Sequence, residues 1–84
     1  MQIFVCRGYS GQIFRLDAAD IMPMTELLPV MANSIGLYSS HEERLGVYNL
    51  TQDFEYRDGD TLEGRGTREG DLLIVADGGV CHKR

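Results

Sequence analysis

The chain has 84 residues, 43% hydrophobic and 25% charged, which is typical of one folded domain rather than of a disordered chain. Thirteen acidic residues against eight basic ones give a net charge of −5, which argues against a nucleic-acid-binding protein. The sequence has neither ~18 consecutive apolar residues nor a signal-peptide pattern at its start, so we expect a cytoplasmic protein without membrane contact.

A β-hairpin is predicted at the start of the chain. Apolar side chains alternate along residues 1–7, and after a turn with two glycines residues 12–17 form a second short strand. Phe4 falls on the face of the first strand opposite to Ile3. It is therefore either an exposed aromatic residue of the sheet or part of a docking surface.

A helix is predicted after the hairpin, because apolar residues recur at helical spacing from position 24 to position 35. Asp20 is the predicted N-cap, Pro23 falls in the first turn, and Gly36 is expected to end the helix. Pro29 removes one hydrogen bond within this helix, so we expect a kink or an irregular first turn.

Three further strands are predicted over residues 45–50, 54–56 and 72–75. The last strand consists of four consecutive apolar residues, which is typical of a central strand buried on both faces. Since residues 76–84 are small, polar and basic, we expect a domain of residues 1–75 followed by a flexible tail.

The order of these elements predicts an α+β fold of the β-grasp type, in which a mixed sheet of four to five strands packs on one helix. A central last strand must pair with the beginning of the chain, and one helix can cover one face of the sheet. The predicted core consists of Ile3, Val5, Leu27, Met31, Leu45, Leu62, Leu72 and Ile74.

No catalytic or metal-binding pattern is recognisable in the sequence. It lacks a serine–histidine–aspartate set, a glycine-rich phosphate loop and paired carboxylates at familiar spacing. Cys6, Cys81, His41 and His82 do not have the spacing of metal ligands. We therefore expect a carrier or binding module without a cofactor rather than an enzyme, also because so small a domain leaves little room for a deep cleft.

The sequence resembles the ubiquitin-like proteins over residues 1–79. Its first five residues, Met-Gln-Ile-Phe-Val, are identical to the opening of eukaryotic ubiquitin, and Arg44-Leu45 and Thr61-Leu62 match two further segments. Residues 50–62 and Gly70-Asp71 are more similar to the bacterial YukD/EsaB ubiquitin-like proteins, which accompany type VII secretion systems. The whole resembles bacterial ubiquitin-like modifiers that are encoded beside activating enzymes and JAB-type proteases.

Gly78-Gly79, directly after the last predicted strand, carries the functional implication of this resemblance. In ubiquitin-like modifiers an activating enzyme adenylates the final glycine and captures it as a thioester, and a conjugating enzyme passes it to an amine of a protein target. Glycine suits this tail because a Cβ would clash in narrow enzyme channels. A JAB-type protease would first remove the five residues after Gly79, which are Val80, Cys81, His82, Lys83 and Arg84.

Two departures from ubiquitin affect the expected partners. Only Ala76-Asp77 separates the last predicted strand from the glycines, where ubiquitin has a longer basic segment, so we expect dedicated enzymes. Gly8 and Gly46 replace two apolar residues of ubiquitin's docking patch. The possible docking surface here consists of Phe4, Gly46 and Val75.

Two other functions remain open. One is a non-covalent regulatory module resembling YukD/EsaB, although those proteins typically lack terminal glycines. The other is a sulfur carrier, in which the final glycine becomes a thiocarboxylate, although such carriers commonly end at the glycine pair.

Overall fold

The computed structural model describes residues 1–8, 10–36 and 45–77. These residues form five strands and one helix, in the order β1 (Gln2–Arg7), β2 (Ile13–Asp17), α1 (Met24–Ser34), β3 (Leu45–Asn49), β4 (Phe54–Glu55) and β5 (Leu72–Asp77). The strands form one sheet in the order β2-β1-β5-β3-β4, with β1 and β5 parallel and all other neighbours antiparallel. The predicted α+β fold with a mixed sheet on one helix is confirmed, and the order of its strands is that of a β-grasp.

No helix among the described residues is long and apolar enough to cross a membrane.

The hairpin forms where the sequence predicts it. Gly8 and Gly11 have φ angles of +51° and +85°, a region that side chains with a Cβ disfavour. The turn therefore depends on these two glycines.

The helix has the predicted end but not the predicted start. Gly36 follows the helix with φ +77°, as expected of a residue that ends a helix, and Pro29 lies within it. The N-cap is Pro23 rather than Asp20. A side-chain cap is unnecessary because the loop before β5 supplies acceptors: the Met24 N–H donates to the Asp60 carbonyl at 2.7 Å.

The core lies between α1 and one face of the sheet, which we call the inner face. Of the predicted core residues, five are fully buried: Ile3, Val5, Leu27, Met31 and Leu62. Leu45 is partly buried against this core. Leu72 was predicted wrongly, since it is only partly buried and the inner residues of β5 are Leu73 and Val75. Ile74 is buried as predicted, but it lies on the opposite face of the sheet, outside the cluster beneath the helix.

The pairing of the strands explains this error. Leu73 lies beside Val5 of β1, whose side chain faces the helix, so Leu72 and Ile74 point to the opposite face. Four apolar residues in a row do not indicate which two face the helix. Only the register with β1 decides between them.

The last strand is longer than predicted. It continues to Asp77, because Ala76 pairs with Gly46 and Asp77 with Leu45 of β3. The predicted boundary at residue 75 therefore falls inside the strand. A small residue and an acidic residue gave no local sign of a strand, and the neighbouring strand supplies the hydrogen bonds.

Replacing Leu73 by Ala should lower the free energy of unfolding by about 2–5 kcal/mol, because it leaves a cavity beneath the helix. Leu72→Ala is the matched control, since Leu72 is only half-buried, and it should cost clearly less. Urea denaturation of both variants measures the difference. A larger loss for Leu72→Ala would contradict the assignment of the two faces.

Candidate functional site

The face of the sheet that α1 does not cover, here called the outer face, is mostly apolar. Its apolar residues, together with one glycine, come from four strands and follow from the registers of the ladders: Phe4, Cys6, Ile13, Gly46, Tyr48, Leu72, Ile74 and Ala76. The polar and charged residues of the same face are Gln2, Arg15, Asp17 and Glu55. Phe4 is 38% exposed, and Ile13 is more exposed still. The sheet therefore presents an apolar surface as well as an apolar core.

The residues that flank β5 on the outer face become smaller along the strand. Phe4 lies beside Leu72 near the start of the strand, and Cys6 and Tyr48 flank Ile74 at its middle. At the end of the strand Ala76 lies beside Gly46, and Gly8 extends β1 on the other side. Neither glycine has a side chain, yet Ala76 is almost fully buried, at 1% exposure, and Ile74 is buried as well. The exposed apolar side chains of the outer face are therefore those nearer to β2, Phe4 and Ile13.

The predicted docking surface is only partly assembled. Phe4 and Gly46 both lie on the outer face. Val75 does not, because its side chain points to the helix and is fully buried. Ala76 is the residue of β5 that lies beside Gly46 on the outer face, and it is buried as well, at 1% exposure.

Sequence reasoning missed Leu72, Ile74 and Tyr48 as residues of the outer face. Alternation within the strands could have suggested them, but only once the inner residues of β5 were known. Gly78, Gly79 and the predicted removable residues 80–84 lie outside the described residues.

Both neighbouring strands hold the end of β5 in place. The Gly8 N–H donates to the Val75 carbonyl at 2.6 Å, and Asp77 pairs with Leu45 on the other side. Gly78 follows directly on this last paired residue.

A buried polar network holds the start of β5. The side-chain amide of Asn49 donates to Asp71 Oδ2 and to the Tyr56 hydroxyl, both at 3.1 Å. The Gln52 amide donates to the same carboxylate oxygen at 2.6 Å, and the Tyr56 and Thr67 hydroxyls lie 2.5 Å apart. Among the described residues no buried side-chain polar atom lacks a partner. The network therefore connects β3 to the segment that leads into β5.

These hydrogen bonds determine how Asp71 titrates. Burial alone would raise the pKa of its carboxyl group, but donors from Asn49, the Arg68 backbone and Gln52, together with the Arg68 charge, lower the pKa below its ordinary value. Burial raises the pKa of Tyr56, against the effect of its hydrogen bonds to Thr67 and Asn49. Asp71 is therefore a carboxylate, and Tyr56 a neutral phenol, at neutral pH.

Stability should fall in acid partly through Asp71. Because its folded-state pKa lies below the unfolded value, ionisation stabilises the fold above the unfolded pKa of about 4. This contribution is lost as the pH falls through the folded pKa. Urea denaturation from pH 6 to pH 2 should show the stability difference between the wild type and Asp71→Asn shrinking below about pH 4.

Asp60→Asn provides the control. Asp60 is a partly exposed carboxyl group whose pKa is also below its ordinary value, because the Arg57 backbone and the Arg65 side chain donate hydrogen bonds to it. In a protein that already carries Asp60→Asn, the substitution Asp71→Asn should change the free energy of unfolding by the same amount, at each pH, as it does in the wild type. A difference between the wild type and Asp71→Asn that stays constant down to pH 2 would contradict the role of the carboxylate.

No group of three or more histidine, cysteine or acidic residues in the described part of the chain could hold a metal ion. Cys6 is a half-buried free thiol whose Sγ lies 3.6 Å from the Gly8 carbonyl oxygen.

The sequence matches no protein-family model, and no characterised protein is similar enough to indicate a relative.

Proposed function

We propose that this chain is a ubiquitin-like protein modifier of the bacterial kind, matured by cleavage after Gly79 and joined to protein targets through the new carboxylate. One observation carries the proposal: Gly78-Gly79 follows directly on Asp77, the last residue of the central strand of a β-grasp. The glycine pair alone is a weak motif. Its position at the end of such a sheet is much more specific.

The proposed chemistry requires three partners. A JAB-type protease hydrolyses the bond between Gly79 and Val80, which frees the Gly79 carboxylate and releases the remaining residues. An activating enzyme joins this carboxylate to the α-phosphate of ATP with loss of pyrophosphate, and its cysteine then displaces AMP to form a thioester. A conjugating enzyme transfers the acyl group to a target amine, which releases the thiol and leaves an amide bond.

The geometry at the end of β5 is suited to enzymes that approach closely. Gly79 can extend only about 7 Å beyond the last paired residue, so an enzyme acting there must come near the sheet. Enzymes that match this short segment and the acidic Asp77 would differ from those of ubiquitin.

A non-covalent regulatory module resembling YukD/EsaB is the second candidate, and the exposed apolar residues of the outer face favour it. Phe4 and Ile13 could contact a partner protein without any reaction at the glycines. The two functions differ in one respect: only the modifier requires Gly79.

Replacing Gly79 by Ala or by Val should block maturation or conjugation without changing the melting temperature, because the described core contains no residue after Ala76. Intact mass spectrometry, after expression with the processing and conjugating enzymes, measures the loss of residues 80–84 and the formation of adducts. Gly59→Ala and Gly59→Val are matched controls, since nothing lies within 4 Å of a Cβ at this turn glycine. Full conjugation of Gly79→Val would overturn the modifier proposal.

The distribution of lysine predicts the form of the conjugates. Lys83 is the only lysine of the chain, and it lies among the residues that maturation would remove. An arginine guanidinium stays protonated and is not a nucleophile at neutral pH. The mature protein should therefore attach singly or extend only through its N-terminal amine. Linkage mapping by mass spectrometry would contradict this prediction if it found lysine-branched polymers of the protein.

A further inference from the structure

Cys6 is a thiol that the proposed function leaves unused. It lies on the outer face of β1, beside Ile74 of β5, and it is half-buried. Cys81 is the only other cysteine of the chain, and it comes four residues after Asp77, the last residue of β5. The two cysteines are far apart in the sequence, but the parallel pairing with β1 brings the end of β5 close to Cys6.

The distance from the end of β5 to Cys6 is within the reach of the chain that follows. Asp77 is three residues beyond Ile74, the neighbour of Cys6, so about 11 Å separates the Cα atoms of Cys6 and Asp77. The four residues from Asp77 to Cys81 span about 14 Å at most. Since a disulfide requires a Cα–Cα distance of about 4.4–6.8 Å, Cys81 can meet Cys6 if the chain reverses direction after Asp77.

The residues that follow Asp77 are suited to such a reversal. Glycine adopts the positive φ angles of tight two-residue turns at low cost, and Gly78-Gly79 would occupy the two central positions of a turn. Val80 and Cys81 would then run back over the outer face of the sheet. The glycine pair that suits a narrow enzyme channel therefore also suits a return toward Cys6.

Ala76, at the end of β5, is covered more completely than its neighbours explain. It lies on the outer face and is 1% exposed. Gly46 and Gly8, which flank it on the two sides, have no side chains that could cover it. A segment that returns over the outer face at this point would account for the burial of Ala76.

The charges of the chain favour the same arrangement. Lys83 and Arg84 make residues 80–84 basic, whereas the rest of the chain contains thirteen acidic and six basic residues. Opposite net charges attract the two parts to each other before any bond forms. This attraction does not select one position on the surface, and the pair of cysteines supplies the selection.

We propose that Cys6 and Cys81 form a reversible disulfide that holds residues 78–84 against the outer face. The Cys81 thiolate attacks a low-molecular-weight disulfide, such as glutathione disulfide, and releases one thiol; the Cys6 thiolate then attacks the Cys81 sulfur and displaces the second thiol. The two cysteines lose two protons and two electrons, and the small disulfide becomes two thiols. An excess of reduced glutathione reverses the reaction, as is usual for redox-sensing disulfides in reducing compartments.

This disulfide would regulate maturation, a role that rests on the function proposed above. With Gly78-Gly79 in a tight turn at the end of β5, the bond between Gly79 and Val80 would not be available to a protease as an extended segment. Reduction would release it. Because cleavage then removes Cys81, the mature chain would no longer respond to redox conditions.

Oxidation of the full chain with glutathione disulfide tests the bond directly. Intact mass spectrometry should show the loss of two hydrogen atoms. Trypsin cleaves after Arg7, Arg68 and Lys83, so a digest without reductant should contain one species that joins residues 1–7 to residues 69–83. The urea midpoint should rise on oxidation, because a bond between positions 6 and 81 restricts the unfolded chain.

The double variant Cys6→Ser, Gln2→Cys is the matched control. Gln2 lies on the same strand and the same face as Cys6, but about 13 Å further from the end of β5. Cys81 cannot reach this position unless β5 separates from the sheet. The control should therefore form the intramolecular disulfide about 10-fold less or lower still at the same glutathione ratio.

Three results would overturn the disulfide. The first is the formation of only glutathione adducts or dimers, the second is equal formation in the wild type and the control variant, and the third is a urea midpoint that falls on oxidation. Each of these measurements is independent of the role of Gly79.

The regulatory role has its own test, in which the processing protease acts on the oxidised and the reduced chain. The reduced chain should be cleaved about 10-fold faster or more, and Cys81→Ser should be cleaved equally fast under both conditions. Equal cleavage of the oxidised and reduced wild type would overturn the regulatory role alone. Absence of cleavage in both would contradict the modifier function instead.

Discussion

The parallel pairing of the first and last strands is the constraint on which the rest of the structure depends. Two backbone hydrogen bonds bracket it: the Phe4 N–H donates to the Asp71 carbonyl at 2.9 Å, and the Gly8 N–H to the Val75 carbonyl at 2.6 Å. Parallel strands need a long connection, and here it contains the helix and three further strands. The pairing places β5 in the middle of the sheet. Gly78-Gly79 therefore comes directly after a central strand in the sequence and not after an edge strand.

The register of this pairing determines both faces of the sheet. A slip of one residue would exchange Leu73 and Val75, in the core, with Leu72 and Ile74 on the outer face. The buried network around Asp71 opposes such a slip, because this residue directly precedes β5 and its carboxylate bonds to Asn49 of β3. The polar network therefore supports the arrangement of the apolar core and of the outer face.

Sequence patterns predicted the elements of this fold but not the contacts between them. The hairpin glycines, the helix over residues 24–34 and all five strands have local signals, and the structure confirms them. The start of the helix and the end of β5 depend on distant backbone groups, at Asp60 and in β3, which no local pattern shows. For the same reason Val75 was placed on the docking surface. The glycine pair was found because it is a motif in the sequence itself.

The most direct measurement of the central claim is mass spectrometry of trypsin-digested proteins from cells that express this chain with its enzymes. The last basic residue before the glycines is Arg68, so trypsin would leave residues 69–79 attached to each modified amine. If Gly79 is the residue that is conjugated, target peptides should contain a lysine that carries this remnant, ending at Gly79. Recovery of the C-terminus only as the unconjugated peptide, uncleaved between Gly79 and Val80, would contradict it.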